Sequence, residues 1–246
     1  MKILGVIPSR YQSSRFPGKP LVDIDGVSMI RRVYQQCLKS KFLNEVVVAT
    51  DDIRIAEEVK SFGGKFVMTS EACPNGTARC KEVLAQMDVS FDFIINIQGD
   101  EPFIHPEQID ELASVLEENT ELGTLVKVIE DAETLFNQNT PKVVLNENNE
   151  ALYFSRNTVP FIRDVEKQDW LKHHTYYKHI GIYAYRSDVL NAIVDLPEGV
   201  LESVEKLEQL RWLEHAYRIN VAVTAYDSHG IDTPEDIERV LKLVRA

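Results

Sequence analysis

The sequence predicts an α/β protein built on a mainly parallel sheet with helices on both faces. Three observations carry this. Between residues 2 and 119, apolar runs of strand length alternate with segments of helical spacing. The run EVVVAT (45–50) is continuous and β-branched, the pattern of a strand covered on both sides. The length of 246 residues, 44% of them hydrophobic, is ample for one large core.

Each element follows in order. KILGVIP is a short apolar strand. SMIRRVYQQCLKS places Met29, Ile30, Val33, Tyr34, Cys37 and Leu38 at helical spacing. After EVVVAT, IRIAEEVKSFGG is a helix stopped by Gly63-Gly64. KFVMT is the third strand and TARCKEVLAQM the third helix. FDFIINIQ (91–98) is the fourth strand, ended by GDEP, and HPEQIDELASVLEEN is a helix. This βαβαβαβ order is that of a Rossmann-like sheet with right-handed crossovers. Ligands gather at the carboxyl ends of such strands, so the loops SRYQSSRFPGKP and GDEP should meet at one crevice.

The second half is mixed. LGTLVKVI, PKVVLNE, ALYFSR, KHIGIYAYR and NVAVTAYD read as strands, and SVEKLEQLRWLEHA as one helix. TPEDIERVLKLVR is a terminal helix started by Thr233 and Pro234. QDWLKHHTYYKH (168–179) reads as a polar-aromatic loop with the composition of a flap. No linker or repeat interrupts the chain. We expect one domain over 1–246: a nucleotide-binding half to about 125, an inserted subregion over about 126–225, and a returning segment, 226–246.

The net charge of −12 and pI near 5.0 argue against nucleic-acid or anionic-membrane partners, which need a broad basic surface. Cys37, Cys73 and Cys80 have no metal-type spacing and read as reduced thiols. The five residues between Lys2 and Pro8 are too few for a signal-peptide core, and no apolar run is long enough for a membrane span. The expected compartment is the cytoplasm.

Against this acidic background, residues 9–19 hold Arg10, Arg15, Lys19, three serines and a glycine. The loop is neither a Walker A motif, since Ser13 stands where its first glycine belongs, nor GxGxxG. Fixed cations there suit a triphosphate and the charge that develops on departing pyrophosphate. Asp100 in GDEP and Asp232 in GIDTPED each follow a strand. Either alone reads as a cap or turn aspartate; as a pair, they read better as hard ligands for Mg²⁺.

Together IPSRYQSSRFPGKPL, VVVATDD, NIQGDEP, LYFSRNTVPFIRD, KHIGIYAYR, LEQLRWLE and GIDTPEDIERV resemble the 3-deoxy-manno-octulosonate (Kdo) cytidylyltransferases, the CMP-Kdo synthetases. The resemblance spans essentially the whole chain. It implies the nucleotide-diphospho-sugar transferase fold, with a sugar-binding and dimerisation subregion. It also implies Mg²⁺-dependent transfer of CMP from CTP to an acidic 3-deoxy-ulosonate, for lipopolysaccharide biosynthesis, by a homodimer. Carried over by motif, Arg10, Lys19 and Asp100 are catalytic. Arg10, Ser14 and Lys19 hold the CTP phosphates. Pro8, Ser9, Gly76 and Thr77 enclose the cytosine, with Arg79 beside them. Asp100 and Asp232 bind metal. Gln98, Arg156, His179, Tyr183, Glu208 and Gln209 line the sugar site.

The residues agree in part. A guanidinium at a strand end, as at Arg156, suits a bidentate pair with a sugar carboxylate or a structural ion pair. His179 reads as a donor to a sugar hydroxyl or a strand cap. Glu208 and Gln209 would ordinarily face water on an amphipathic helix. One position departs from the family: NGTARCKE has Ala78 where an acidic residue is usual. The alternatives are an amino-substituted Kdo as acceptor and a neutral replacement. Further rivals are another CMP-ulosonate synthetase, such as a sialic acid activator, and a silent nucleotide-binding protein.

Overall fold

The computed structural model describes residues 1–12 and 16–245, with the main chain alone for 243–245. In chain order the strands and helices are β1 (Ile3–Ser9), β2 (Asp23–Ile24), β3 (Val27–Ser28), α1 (Met29–Cys37), β4 (Glu45–Thr50), α2 (Ile53–Ser61) and β5 (Phe66–Met68). Next come α3 (Gly76–Gln86), β6 (Phe93–Asn96), α4 (Pro106–Ser114), β7 (Leu122–Val128), α5 (Ala132–Phe136), β8 (Lys142–Leu145) and β9 (Ala151–Ser155). The chain ends with α6 (Trp170–His173), β10 (Tyr177–Arg186), α7 (Ser187–Val194), α8 (Val200–Glu205), α9 (Gln209–Glu214), β11 (Ile219–Val223) and α10 (Pro234–Arg245).

Two compact units emerge. One comprises Met1–Asp110, Ala184–Val194 and Ser228–Ala246; the other comprises Glu111–Tyr183 and Asp195–Asp227. In the first, β6-β1-β4-β5 form a parallel sheet, with Gly5 opposite Ile95 and Val6 opposite Val47. The sheet is flanked by helices, as expected. All of β1 except Pro8 is buried, which explains its lack of a polar face. Helix α1 buries Met29, Ile30, Val33, Tyr34 and Cys37. Each large apolar side chain so covered contributes roughly 1.5–3 kcal/mol. Ile231 and Val240 pack with Ile24 and Met29, which ties the returning segment and α10 into this core. The three cysteines are buried and none is in a disulfide among the described residues.

In the second unit β11 runs parallel to β7, β10 lies beside β7, and β8 pairs antiparallel with both β10 and β9. Two expectations change here. The single helix over 203–216 is two helices, because Lys206 adopts a left-handed conformation (φ 54°) between α8 and α9. The polar-aromatic loop contains a helical turn and is anchored: Trp170 and Tyr176 stack at 6.3 Å and are buried with Ile129 and Leu135. No helix among the described residues is long and apolar enough to cross a membrane.

Candidate active site

In the first unit, the loops beyond β1 and β6 and the returning segment bring Lys19, Asp100 and Asp232 together. Gly18 (φ 73°) donates its N–H to the Tyr11 carbonyl at 2.8 Å. A Cβ at Gly18 would sit 3.2 Å from the Tyr11 ring, so glycine serves both the backbone conformation and the close approach. This closure delivers Lys19 next to Asp100 and Asp232. Its ammonium donates to Asp100 Oδ2 at 2.7 Å and to Asp232 Oδ1 at 3.3 Å. Ser14 and Arg15 lie outside the described residues.

The two aspartates are held by their own loops. Ile231 N donates to the Asp100 carbonyl at 2.9 Å, joining GDEP to GIDTPED. Asp236 accepts from Asp232 N (3.0 Å) and Thr233 N (2.9 Å), capping α10 and fixing the Asp232 main chain. Hydrogen bonding from Arg239, with those main-chain donors, holds the Asp236 carboxyl down at about 2. A Cβ on Gly99 would come within 2.7 Å of the Pro8 carbonyl and 2.8 Å of Ser9 Oγ, so glycine lets this turn press on the end of β1. Beside it Glu101 is buried, its carboxyl raised to about 7 by desolvation, and accepts a hydrogen bond from Ser228.

Two carboxylates around one ammonium form a cluster with net negative charge and hard oxygen donors. Among the described residues no group of three or more His, Cys, Asp or Glu could hold a metal. A pair of carboxylates is nevertheless what Mg²⁺ uses when substrate phosphates and water complete its octahedron. The residues present fit that ion.

The base-binding candidates cluster at the N-terminus of α3. Asn75 caps it by accepting from Ala78 N at 2.9 Å. A Cβ on Gly76 would meet Asn96 Nδ2 at 3.2 Å and Pro8 at 3.4 Å, which places the three side by side. The Tyr185 hydroxyl lies 3.2 Å from both Thr77 Oγ1 and Asn96 Nδ2. Sequence reasoning missed Asn96 and Tyr185, although a lone asparagine ending the apolar run FIIN is a visible signal. Among the described residues, Asn96 Oδ1 and Ser9 Oγ are buried without a partner. Arg10, at the end of β1, donates to the Cys73 carbonyl at 2.6 Å and borders a cleft of about 780 Å³ that Tyr11, Asp51 and Arg54 also line. Such a volume suits a nucleotide-sized ligand.

Arg79 sits differently from the others. It is wholly buried, donating to Asp51 at 2.7 Å and to Thr69. Its guanidinium therefore serves the wall of the site rather than its surface.

The sugar candidates other than Gln98 lie in the second unit. Gln98 belongs to the first, where its carbonyl accepts from Glu101 N at 3.3 Å. His179 and Tyr183 share one face of β10, their rings 5.2 Å apart. Tyr183 meets Trp212 of α9 edge-on at 5.1 Å, which ties that strand to the helix begun by Glu208 and Gln209. Gln209 is buried rather than facing water, because the break at Lys206 reorients the helix start. His179 lies 3.0 Å from Thr124 Oγ1, whose proton goes to the Ile182 carbonyl at 2.7 Å. The hydroxyl is thus an acceptor toward Nε2–H, leaving Nδ1 as acceptor. Desolvation pushes the His179 pKa down to about 3, so the ring stays neutral and its Nδ1 can accept a hydrogen bond from a hydroxyl. Arg156 forms no ion pair among the described residues. Instead it donates to the carbonyls of Glu205 (2.7 Å), Gln138 (3.3 Å) and Lys206 (3.4 Å), so the structural ion pair is not what is found.

A parallel sheet with cationic and carboxylate loops at its carboxyl edge defines a nucleotidyltransferase. The cytidylyltransferase family model matches residues 4–221. The 3-deoxy-manno-octulosonate cytidylyltransferase of Cytophaga hutchinsonii is 56% identical, covering 98% of this chain and 96% of that protein. Its counterpart from Parabacteroides distasonis is 54% identical, covering 98% and 97%. The solved CMP:2-keto-3-deoxy-manno-octonic acid synthetase in complex with CTP is 41% identical, with a TM-score of 0.92 over 100% of this chain and 99% of that one. The chain belongs to the 3-deoxy-manno-octulosonate cytidylyltransferase family.

Proposed function

We propose that this protein transfers CMP from CTP to Kdo, giving CMP-Kdo and pyrophosphate for lipopolysaccharide biosynthesis. The anomeric hydroxyl oxygen of the sugar bonds to the α-phosphorus. The bond from that phosphorus to the bridging oxygen breaks, pyrophosphate leaves with the electron pair, and the hydroxyl proton is released. The observation that carries this is Lys19 held between Asp100 and Asp232 at the strand ends, in a chain 56% identical to a named Kdo cytidylyltransferase.

Lys19 and Arg10 would bind the phosphates and stabilise the charge that grows on pyrophosphate. Asp100 and Asp232 would hold Mg²⁺, which when bound neutralises phosphate charge. The main chain at Pro8 and Ser9, with Gly76 and Thr77, would receive the cytosine. Arg156 has spent three of its five N–H donors on carbonyls, and the other two suit the sugar carboxylate. His179 would orient a sugar hydroxyl, and Gln98, Tyr183, Glu208 and Gln209 would complete the sugar site. Exposed Val200 and Val204 on α8, with Leu152 and Val223, support a homodimer formed through the second unit. The buried cysteines, none in a disulfide among the described residues, are consistent with the cytoplasm.

A second reading of the acceptor, an amino-substituted Kdo, rests on Ala78, which borders a hollow of about 360 Å³ that Cys73, Lys81 and Glu82 also line. Incubation with CTP, Mg²⁺ and Kdo, followed by ³¹P NMR, tests the main reading. A phosphodiester resonance and free pyrophosphate are expected; hydrolysis of CTP to free CMP would contradict it.

A further inference from the structure

Lys142, the first residue of β8, is the most deeply buried cation of the second unit: it is 0% exposed. Its ammonium makes no ion pair among the described residues. It donates instead to three main-chain carbonyls, of Asn137 (2.8 Å), Thr140 (2.7 Å) and Arg156 (2.8 Å). Three donors meeting three acceptors satisfy the group completely. Burying it nonetheless has a cost, and burial pushes its pKa below the ordinary lysine range. An apolar side chain would fill β8 at lower cost, so the ammonium needs a reason of its own.

The third carbonyl supplies one. Opposite Lys142, the Glu205 carboxylate accepts from the Arg156 main-chain N–H at 2.9 Å and from the Ser155 hydroxyl at 2.7 Å. Arg156 is therefore gripped on both sides of its peptide, by a cation at its carbonyl and an anion at its N–H. Its Nε then bonds the Glu205 carbonyl, which orients the guanidinium. The left-handed turn at Lys206 carries a further carbonyl to the same guanidinium. Of the three charges, two are positive and one negative. The cluster keeps one positive charge for an incoming anion.

We propose that Lys142 is a positioning residue for Arg156, and that with Glu205 it pre-organises the guanidinium to receive the carboxylate of the acidic sugar. This rests on the reading of Arg156 as the carboxylate ligand. A guanidinium already held needs no ordering when the sugar binds, which favours affinity for the sugar over affinity for CTP.

The test is steady-state kinetics of the full-length enzyme with CTP and Kdo, on Lys142→Met, Arg156→Ala and the double variant. Lys142→Met keeps the length of the side chain and removes the charge. Its KM for Kdo should rise about tenfold, as expected for a lost charge-assisted hydrogen bond, while KM for CTP stays near its original value. Lys142→Met in the Arg156→Ala background should add little. An unchanged KM for Kdo, an equal rise in both KM values, or a full additional loss in the double variant would overturn the proposal. Should Lys142→Met not fold, Glu205→Gln decides the question. It removes the negative charge and turns an amide N–H toward one of the two donors, Ser155 or Arg156, so the same selective rise is expected, and its absence counts against the proposal. Failure of the underlying reading shows separately, as an Arg156→Ala enzyme whose KM for Kdo is unchanged.

Discussion

The Lys19 ammonium lies 2.7 Å from the Asp100 carboxylate, and Asp232 shares the same cation at 3.3 Å. Residues 81 and 213 positions from Lys19 along the chain meet it at one point. Two carboxylates outweigh one ammonium, so this cluster attracts a further cation while presenting a lysine to an anion. That dual character is what a site for a metal-bound triphosphate needs.

Replacing Lys19 by methionine should lower kcat about 10²- to 10³-fold, the usual loss for one pre-organised donor at developing charge. The lysine is partly exposed, so the melting temperature should change little. Kinetics at saturating CTP alongside thermal unfolding separate the two effects. A near-normal kcat would remove Lys19 from the mechanism.

Asp100→Asn keeps the carbonyl that accepts from Ile231 and removes only charge. Turnover should collapse at every Mg²⁺ concentration while circular dichroism remains that of the parent. Retention of the parent's Mg²⁺ dependence would exclude Asp100 as a ligand.

Asp51→Asn should be strongly destabilising. It leaves the guanidinium of Arg79, fully buried, without its charge partner. Breaking one side of a buried pair costs about 3–5 kcal/mol, readable as a lower urea midpoint at constant m-value. A midpoint close to the parent's would show that Arg79 finds another partner.

These cases mark how far the sequence could be read. The strands β1, β4 and β6 were legible because a sheet buried on both faces needs unbroken apolar runs. Lys19, Asp100 and Asp232 stand out in the sequence because they lie in the polar segments SRYQSSRFPGKP, GDEP and GIDTPED, which break the apolar runs. Asp51 and Arg79 pair across 28 positions with no local pattern to announce it. The break between α8 and α9 was hidden because Lys206, rather than glycine, takes the left-handed turn. In the sequence Lys142 is only the second residue of the strand-like run PKVVLNE. Only the fold brings three carbonyls around its ammonium.

His179 supplies a pH signature. An unfolded imidazole titrates near 6.5, whereas desolvation lowers the folded value to about 3. As pH falls, the unfolded chain takes up the proton first. Stability from the neutral ring is therefore complete above about 6.5 and is lost progressively toward 3. His179→Gln should flatten the decline between pH 6.5 and 4, on the order of 1 kcal/mol per pH unit. Urea midpoints of both proteins across that range check it; parallel slopes would contradict a neutral, desolvated ring.

The most direct measurement is pyrophosphate release with CTP and Mg²⁺, with Kdo and its 8-amino analogue offered side by side. The account predicts sugar-dependent release from CTP, with kcat/KM favouring Kdo if Ala78 is a neutral replacement and the amino sugar if the altered loop selects it. Release independent of any sugar, or none with either, would contradict the assignment of Lys19, Asp100 and Asp232 to cytidylyl transfer.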